Sequence, residues 1–360
     1  MNVRELNQNL MKHSMTNQVA LCTDTHFGVR KGSQVFHDYF EKFYSETFFP
    51  TLVENNIKTV IHLGDCFDVR KGIDYWSLDW SKRVFFDPLR ELGINLIMIV
   101  GNHDCFYKTS LKINSPRLNL SYYENITVID SPQTVDVEGD RVFMVPWICD
   151  DNAEQFVSEL ETSNAPGCMG HLELAGFYAN KDYQCQHGTD PKNFSRFDYV
   201  FSGHFHKKSS NQNVTYLGNT YQMYWNDEGE TRGFHLFDLK SQELEFIANP
   251  TNMFHKIYYD EDKKQSIDPT KYENTFIKLI VDGKSTPNKL YKLIDSLYDV
   301  GIHDLKVIKN MDITLDDDIE VEVEDTLTTL TNYVTSMEDN FDKENIINIF
   351  KSLYLEAQEV

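Results

Sequence analysis

Residues able to bind metal ions occur at five separated places between positions 24 and 206. Carboxylate oxygens and imidazole nitrogens are ligands of manganese, iron or zinc, and the set contains no cysteine, unlike a structural zinc site. Two cations about 3.5 to 4 Å apart that share a carboxylate can activate water and stabilise charge on a phosphoryl oxygen. Asp65 is the candidate for the shared carboxylate. The pattern predicts a two-metal phosphoesterase site built from Asp24, His26, Asp65, Asn102, His103, His171, His204 and His206.

Each candidate ligand lies at the end of a predicted strand. Short apolar runs predict these strands, which are Val19–Thr23, Thr59–Leu63, Ile94–Val100, Gly167–Gly170 and Tyr199–Ser202. Open α/β sheets place their sites at the carboxyl ends of strands, so we expect the five loops to converge on one rim. Gly64, Gly101 and Gly203 adjoin the ligands and permit the tight turns that convergence requires.

Further strands and helices complete an α/β pattern. The additional predicted strands are Ile126–Asp130, Thr134–Val137, Val142–Val145, Val214–Leu217, Phe234–Phe237 and Leu244–Ile247. Helices are predicted over Gln34–Asn55 and Trp76–Leu92, where apolar residues recur every three or four positions. The aromatic residues of the second helix belong either to the core or to a dimer face, and they are Tyr75, Trp76, Trp80, Phe85 and Phe86.

The chain is predicted to have four parts. Residues 1–16 form an N-terminal extension, 17–250 the main domain, 251–312 a small capping domain, and 313–360 an acidic linker with a helical region. In the third part, Thr275–Val281, Pro287–Tyr298 and Asp304–Ile308 predict a β-α-β unit. The apolar stripe of the C-terminal region is either packed on its own domain or docked on a partner.

The formal net charge of −22 argues against nucleic acid as a partner, but its distribution weakens that objection. The last 50 residues contain 14 acidic and 2 basic residues. Basic residues stand beside four of the five loops, where they are either unremarkable surface charge or a positive rim for a phosphodiester backbone. The rim residues are Arg30, Lys31, Arg70, Lys71, Lys108, Lys207 and Lys208.

The six cysteines are scattered with no Cys-x-x-Cys pair, which is typical of reduced thiols in a cytosol. No signal peptide or long apolar segment occurs, so we expect a soluble, cytoplasmic protein without a membrane partner.

Longer motifs surround the candidate ligands. They are Thr25–Arg30, Gly64–Lys71, Val100–Asp104, Pro146–Cys149, Gly170–Leu174, Ser202–His206 and Arg232–Phe234. These motifs resemble those of the calcineurin-like metallophosphoesterases, and within them the SbcD and meiotic-recombination nuclease family, including the recombination endonucleases of T-even-type bacteriophages. The resemblance covers about residues 17–250. It implies an α/β fold, a four-layer β-sandwich flanked by helices, with a small α+β capping domain and a helical tail.

The resemblance also implies roles for individual residues. One metal would be held by Asp24, His26, Asp65 and His206, and the other by Asp65, Asn102, His171 and His204. His103 would protonate the leaving oxygen or steady the phosphate, with Asp104 orienting its ring. Asp68 would help to position substrate.

This resemblance implies that the chain is a manganese-dependent DNA exonuclease and endonuclease. Magnesium is the other candidate metal. The partners would be DNA and an SbcC-like ABC-type ATPase, and the chain would form a homodimer within a heterotetramer, through Trp76–Leu92. The setting would be the cytoplasm, that of an infected bacterial host if a phage encodes the chain. A small-molecule or cyclic-nucleotide phosphodiesterase and a non-catalytic scaffold subunit remain alternatives. A protein phosphatase is disfavoured, because Val69 and Asp104 depart from the motifs of those enzymes.

Overall fold

Two six-stranded sheets form the frame of the chain in a computed structural model that describes residues 17–179, 184–263 and 267–309. The first sheet has the order Leu244–Ala248, Gly233–Asp238, Gln18–Cys22, Thr59–His62, Asn95–Ile99 and Ile126–Ile129. The second has the order Ser209–Asn211, Val214–Tyr216, Tyr199–Ser202, Gly167–Gly170, Asp140–Val145 and Gln133–Val137. The predicted extension 1–16 and the region 313–360 lie outside the described residues.

The strands that precede the candidate ligands run parallel within each sheet. Gln18–Cys22 is parallel to Thr59–His62, which is parallel to Asn95–Ile99. In the second sheet, Gly167–Gly170 is parallel to Tyr199–Ser202. The carboxyl ends of these five strands therefore present their loops at the edges where the candidate ligands lie.

Apolar side chains from both sheets pack face to face and form a central core. Alternate residues along each strand point to opposite faces, which is why Val19 and Leu21 contribute to this core while Ala20 and Cys22 face the helices. The outer face of the first sheet is covered by helical segments that include Phe40 and Trp80. The outer face of the second sheet packs against Phe156 and neighbouring loops. The predicted fold class, a sandwich with flanking layers, is confirmed.

Both long predicted helices are present, but each is divided by a wider helical turn. The segments are Gln34–Phe43, Tyr44–Phe48 and Phe49–Glu54 in the first, and Tyr75–Ser81, Lys82–Phe86 and Asp87–Glu91 in the second. In each helix the residue before a proline, Pro50 or Pro88, donates its N–H five residues back. Proline removes a donor and its ring crowds the preceding turn, which explains the break. Trp80, Phe85 and Phe86 are core residues, whereas Tyr75 and Trp76 are exposed.

Several elements were not predicted. The strands Cys105–Tyr107 and Ser110–Asn114 form a hairpin, named here the 105–114 hairpin, and the other additions are helices Ser115–Leu120 and Ala153–Thr162 and strand Ser209–Asn211. Short helical turns occur at Val29–Gly32, Pro191–Phe194, Trp225–Asp227, Glu261–Lys263 and Pro269–Tyr272.

A third sheet follows residue 250. It consists of Phe254–Tyr259, Phe276–Val281 and Asp304–Lys309 in that order, with helix Pro287–Asp299 after the second strand. The β-α-β elements predicted here are present, and Phe254–Tyr259 is an unpredicted strand before them. The described residues fall into two compact units, one of 17–256, 267–277 and 291–305 and one of 257–263, 278–290 and 306–309. The four predicted domain ranges stay predictions.

No helix within the described ranges is long and apolar enough to cross a membrane.

Candidate metal centre

The first group of predicted ligands consists of Asp24, His26 and His206. Asp24 and His26 follow the strand Gln18–Cys22, and His206 follows the strand Tyr199–Ser202. One ligand atom from each lies within 4.8 Å of the others. The Nε2 atoms of His26 and His206 are 3.1 Å apart, and Oδ1 of Asp24 is 3.8 Å from Nε2 of His206. The loops of two different sheets thus bring three donors to one point.

The second group consists of Asp65, His171 and His204, with Asn102 beside them. One ligand atom from each of the first three lies within 4.8 Å of the others. Nε2 of His171 is 3.0 Å from Oδ1 of Asn102. His171 and Asn102 are buried, and the rings of His171 and His204 have centroids 5.2 Å apart. Four predicted ligands therefore surround a second point.

Asp65 faces both groups with a single carboxylate oxygen. Its Oδ2 is 3.3 Å from Nε2 of His171 and 3.9 Å from Nε2 of His26. Its other oxygen, Oδ1, accepts a hydrogen bond of 2.7 Å from the backbone N–H of His103. This arrangement fits a carboxylate that two cations could share. The structure brings all seven predicted ligands together.

Four of these residues have left-handed backbone conformations. The φ angles are 50° at Asp24, 44° at His26, 54° at Asp65 and 83° at His204. For a residue other than glycine, this backbone region costs about 1 to 2 kcal/mol, and such strain concentrates at functional sites. The fold therefore holds these donors in place at a conformational cost.

Two glycines allow the ligand loops to approach each other. A Cβ atom at Gly101 would fall on the backbone N and Oδ1 of Asp65. One at Gly64, where φ is 98°, would fall on the imidazole of His171. Any larger residue would push the two loops apart, so the absence of a side chain at these positions is part of the site.

Burial and neighbouring charge have opposing effects on the pKa values of these groups. Burial raises the pKa of Asp24 to about 6, against the opposing effect of His171. For His171, burial lowers the pKa, but the charge and hydrogen bond of Asp65 outweigh it and raise the pKa to about 9. Buried carboxylates are stable as anions only beside positive charge. Oxygen and nitrogen donors crowded in this way fit divalent metal ions.

Comparison with known proteins agrees with this geometry. The profile described as calcineurin-like phosphoesterase matches residues 18–208. The chain belongs to the calcineurin-like phosphoesterase family. It is 35% identical over 310 residues to exonuclease subunit 1 of Enterobacteria phage T4, and the aligned region covers 85% of this chain and 89% of that protein. It is 22% identical over 270 residues to the SbcD subunit of the nuclease SbcCD of Staphylococcus epidermidis, covering 61% of this chain and 66% of that protein.

The resemblance to SbcD-like nucleases and to their phage members is thereby confirmed. The aligned region includes the loops of a phosphoesterase site that the two sheets bring together.

His62 supports the phosphoesterase loops, although sequence reasoning did not single it out. Its Nε2 lies 3.0 Å from Oγ1 of Thr25, and its Nδ1 accepts a hydrogen bond from the backbone N–H of Gly64. The hydroxyl of Thr25 in turn donates to the backbone oxygen of Cys66. Burial, followed by the charge of His171, lowers the pKa of His62 to about 3. A neutral imidazole thus links two ligand loops. The sequence signal was a histidine at the end of an apolar strand.

Arg232 is a second supporting residue, which the sequence analysis named in a motif without assigning it a role. It is buried, and its guanidinium donates to the backbone oxygen of His206. It also donates to Oδ1 of Asp227 at 2.6 Å and lies 3.2 Å from Oε2 of Glu230. A buried arginine requires such partners. Arg232 therefore fixes the loop that carries His206, and its place just before the strand Gly233–Asp238 was the available signal.

His103 lies beside the first ligand group and is held by the backbone. Its Nδ1 is 2.6 Å from the backbone oxygen of Asp68, and its ring centroid is 4.9 Å from that of His26. Oδ1 of Asp68 is 3.2 Å from Nδ1 of His26. One ligand atom each from His26, Asp68 and His103 also lies within 4.8 Å of the others. The carboxylate of Asp68 thus lies beside a predicted ligand, and its predicted role in positioning substrate stays a prediction.

Asp104 has a different role from the one predicted. Its Oδ1 accepts hydrogen bonds from the backbone N–H groups of Cys66 at 3.0 Å and Phe67 at 3.2 Å, and its Oδ2 accepts one from Gly101 at 2.9 Å. Both oxygens are therefore engaged by backbone donors, and the group that holds Nδ1 of His103 is the Asp68 carbonyl. This corrects the expectation that Asp104 orients His103. The carboxylate joins two ligand loops.

Partners within the chain engage four of the seven residues of the predicted basic rim. Nε of Arg30 donates to the backbone oxygen of Met223, and Nε of Arg70 donates to that of Asn102. Lys207 lies 3.9 Å from Glu230, and the ammonium of Lys208 lies 3.3 Å from the ring centroid of Phe246. The remaining three, Lys31, Lys71 and Lys108, are exposed.

Proposed function

We propose that this chain is a metal-dependent DNA nuclease, with exonuclease and endonuclease activity, that hydrolyses phosphodiesters at a two-metal site. The observation that carries the proposal is the single carboxylate oxygen of Asp65, which faces both ligand groups. Manganese is the proposed metal, because the site mixes three oxygen donors with four imidazole nitrogens, and magnesium is the alternative. Membership of the phosphoesterase family supports the reaction class, and the names of the two nuclease relatives support DNA as the substrate.

The proposed holders of the first cation are Asp24, His26, Asp65 and His206, and those of the second are Asp65, Asn102, His171 and His204. When bound, two such cations lower the pKa of water and stabilise charge on a phosphoryl oxygen.

His103 is the proposed general acid. The hydrogen bond to the Asp68 carbonyl requires a proton on Nδ1, because the carbonyl can only accept. In the imidazolium form Nε2 carries the second proton, and this is the proton that can pass to the leaving oxygen. The backbone N–H of His103 is tied to Asp65, so its ring is fixed with respect to the shared carboxylate. The position of the His103 ring is therefore set by its contacts with Asp65 and Asp68.

The proposed partners are DNA, an SbcC-like ABC-type ATPase and a second copy of this chain within a heterotetramer. The relatives are named as subunits, which supports a multi-subunit nuclease. Tyr75 and Trp76 have exposed fractions of 89% and 46% at the start of the second long helix, and they support that helix as the dimer face. The proposed ATPase-docking region falls on 313–360, outside the described residues. A cytoplasmic setting, that of an infected host if phage-encoded, follows from the same proposal.

His103→Ser tests the assignment of acid and ligands together. We expect turnover of DNA to be lost while metal content stays near two ions per chain, because His103 is proposed to hold a proton and no metal. A matched control is His187→Ser, which replaces an exposed histidine and should leave turnover unchanged. Loss of bound metal in His103→Ser would show that this residue is a ligand.

The substrate is tested with end-labelled duplex DNA and single-stranded circular DNA, with manganese, magnesium or neither, beside a small chromogenic phosphodiester. Metal-dependent cleavage of both DNA substrates is the expected result. Hydrolysis of the small ester alone would favour the small-molecule phosphodiesterase alternative. Failure on every substrate by a chain that binds two metal ions would favour the scaffold alternative.

A further inference from the structure

The 105–114 hairpin beside the metal centre carries an exposed tyrosine, and we propose that Tyr107 stacks on a nucleobase of the DNA strand that is cleaved. The hairpin consists of Cys105–Tyr107 and Ser110–Asn114. The inference rests on the proposed function, since it assigns a base-binding subsite to the same site.

The hairpin begins immediately after the loop that carries Asn102 and His103. Tyr107 is four residues beyond His103, so at the rise of a strand their Cα atoms are at most about 13 Å apart. Cys105 and Leu111 are buried in a small apolar cluster with Val100, which anchors the base of the hairpin. The aromatic ring is thus carried on an element fixed next to the proposed acid.

Trp147 connects the hairpin turn to two predicted ligands. Its Nε1 donates a hydrogen bond of 3.1 Å to the backbone oxygen of Lys108. Its ring centroid lies 5.2 Å from that of His204 and 6.3 Å from that of His171. A single indole therefore spans the distance between the turn and the metal centre, so the hairpin borders the site.

Strand pairing and a backbone hydrogen bond support the hairpin at its base and next to its turn. Cys105 pairs with Asn114 and Tyr107 with Ser110 across the two strands. The N–H of Ser115 donates to the backbone oxygen of Asp104 at 2.8 Å, which closes the base. An aromatic ring that is already positioned loses little conformational entropy when it binds, and this favours stacking.

The chemistry around Tyr107 indicates a nucleotide. Tyr107 has an exposed fraction of 57%, and its ring packs edge to face against Phe106 at 4.7 Å between centroids. Lys108 is exposed at the next position. An aromatic ring for the base beside a cation for the phosphate is the combination by which proteins bind single strands. Adjacency to a phosphodiesterase centre favours this occupant over a protein partner.

The test measures whether Tyr107 and a base act on each other. Single-stranded oligonucleotides with a normal base, or with an abasic residue at each of the positions flanking the cleaved linkage, are compared as substrates. With the wild-type chain, one abasic position should raise KM roughly 5- to 150-fold, the range of a stacked base. Tyr107→Ala should raise KM for the normal strand by a similar factor and show no further penalty at that position. Tyr107→Trp should retain the penalty.

Tyr122→Ala is the matched control. Tyr122 has the same exposed fraction of 57%, but it precedes the strand Ile126–Ile129, at the edge where the parallel strands begin. It should leave both substrates unchanged. Hydrolysis of a small chromogenic phosphodiester should be the same in all variants.

Three results would overturn the inference. If Tyr107→Ala keeps the abasic penalty, the base is held elsewhere. If it slows the small phosphodiester equally, Tyr107 supports the site rather than binding a base. If it affects only stimulation by an ATPase partner, the hairpin is a protein contact. A wild-type chain that cleaves the small ester but no DNA would instead refute the proposed function itself.

Discussion

Replacing Asp104 separates its observed role from the one expected of an orienting carboxylate. The two oxygens of Asp104 accept three backbone hydrogen bonds, two at Oδ1 and one at Oδ2. In Asp104→Asn, the amide oxygen can keep the two donors at Oδ1, and the amide nitrogen then faces the N–H of Gly101. One buried N–H loses its partner, which costs about 1 to 3 kcal/mol. Asp104→Ala leaves three such groups and should cost roughly 3 to 9 kcal/mol.

The assay is urea unfolding of chelator-treated protein, followed by circular dichroism, for Asp104→Asn, Asp104→Ala and His103→Asn. We expect the free energy of unfolding to fall in the order wild type, Asp104→Asn, Asp104→Ala. His103→Asn should lose about 1 kcal/mol or less, because one hydrogen bond to the Asp68 carbonyl is removed from a partly exposed ring. All three variants should lose turnover, so stability is the measurement that separates the two roles.

The role of Asp104 in joining the ligand loops is refuted if Asp104→Asn unfolds at the same urea concentration as wild type, binds metal normally and is still inactive. Asp104 would then act on the chemistry, through His103, rather than on the loops.

Three further outcomes are expected. Asp65→Asn should reduce metal content below two ions per chain, measured by elemental analysis, because one oxygen faces both groups; two retained ions would exclude a shared ligand. Glu230→Gln should release Lys207 and steepen the salt dependence of DNA binding by about one unit of slope, while Arg232 keeps its bond to Asp227 and metal content stays unchanged. Glu228→Gln, which removes a carboxylate 3.9 Å from Lys256, should leave the slope unchanged; an unchanged slope in Glu230→Gln would contradict the pairing with Lys207. Burial, followed by the charge of Lys208, lowers the pKa of His235 in the folded chain to about 3. In the unfolded chain a histidine has a pKa of about 6.5, so as the pH falls from 7 to 5 the imidazole of His235 is protonated only in the unfolded chain. Stability should therefore fall by about 2 kcal/mol more between pH 7 and pH 5 in wild type than in His235→Gln, as measured by urea unfolding; equal falls would refute the assignment.

Much of the site could be predicted because its ligands stand at the ends of regular strands. The run Gly167–Gly170 contains no charged residue, and Thr59–Leu63 is apolar except for Thr59 and His62, as expected of strands buried on both faces. Each run is followed by a side chain that can bind a metal ion. Neighbouring parallel strands end at one edge of a sheet, so residue type and position were sufficient to place Asp24, Asp65 and Asn102 together. The packing of the second sheet on the first, which brings His171 to within 3.3 Å of Asp65, was not specified by the spacing.

The first strand of the 105–114 hairpin, Cys105–Tyr107, could not be predicted, because three residues are too few to show a period. The second strand, Ser110–Asn114, does alternate polar and apolar residues, and that signal was passed over. The stability of the hairpin comes from contacts distant in sequence, such as that of Trp147 with Lys108. The breaks in the long helices also had a signal, in Pro50 and Pro88, that a purely periodic analysis passed over.

The sequence also could not show which partners a polar side chain contacts. The residue type at Asp104 specifies two acceptor oxygens but not whether they meet a ring or three backbone donors. Charge at Lys207 could be read directly, but its pairing with Glu230, a residue 23 positions further along the chain, could not. A basic rim read from composition alone therefore overstates the charge that is free to meet a phosphate.

The position of Trp147 gives the chain a built-in optical probe. Its indole lies between the rings of two predicted ligands and the hairpin turn, whereas the chain has only three other tryptophans, at positions 76, 80 and 225. A paramagnetic ion quenches the fluorescence of an adjacent indole, so titration with manganese would dim this emission and titration with magnesium would leave it bright. Subtracting the spectrum of Trp147→Phe would isolate the signal, and occupancy could then be followed in real time without labelling the protein.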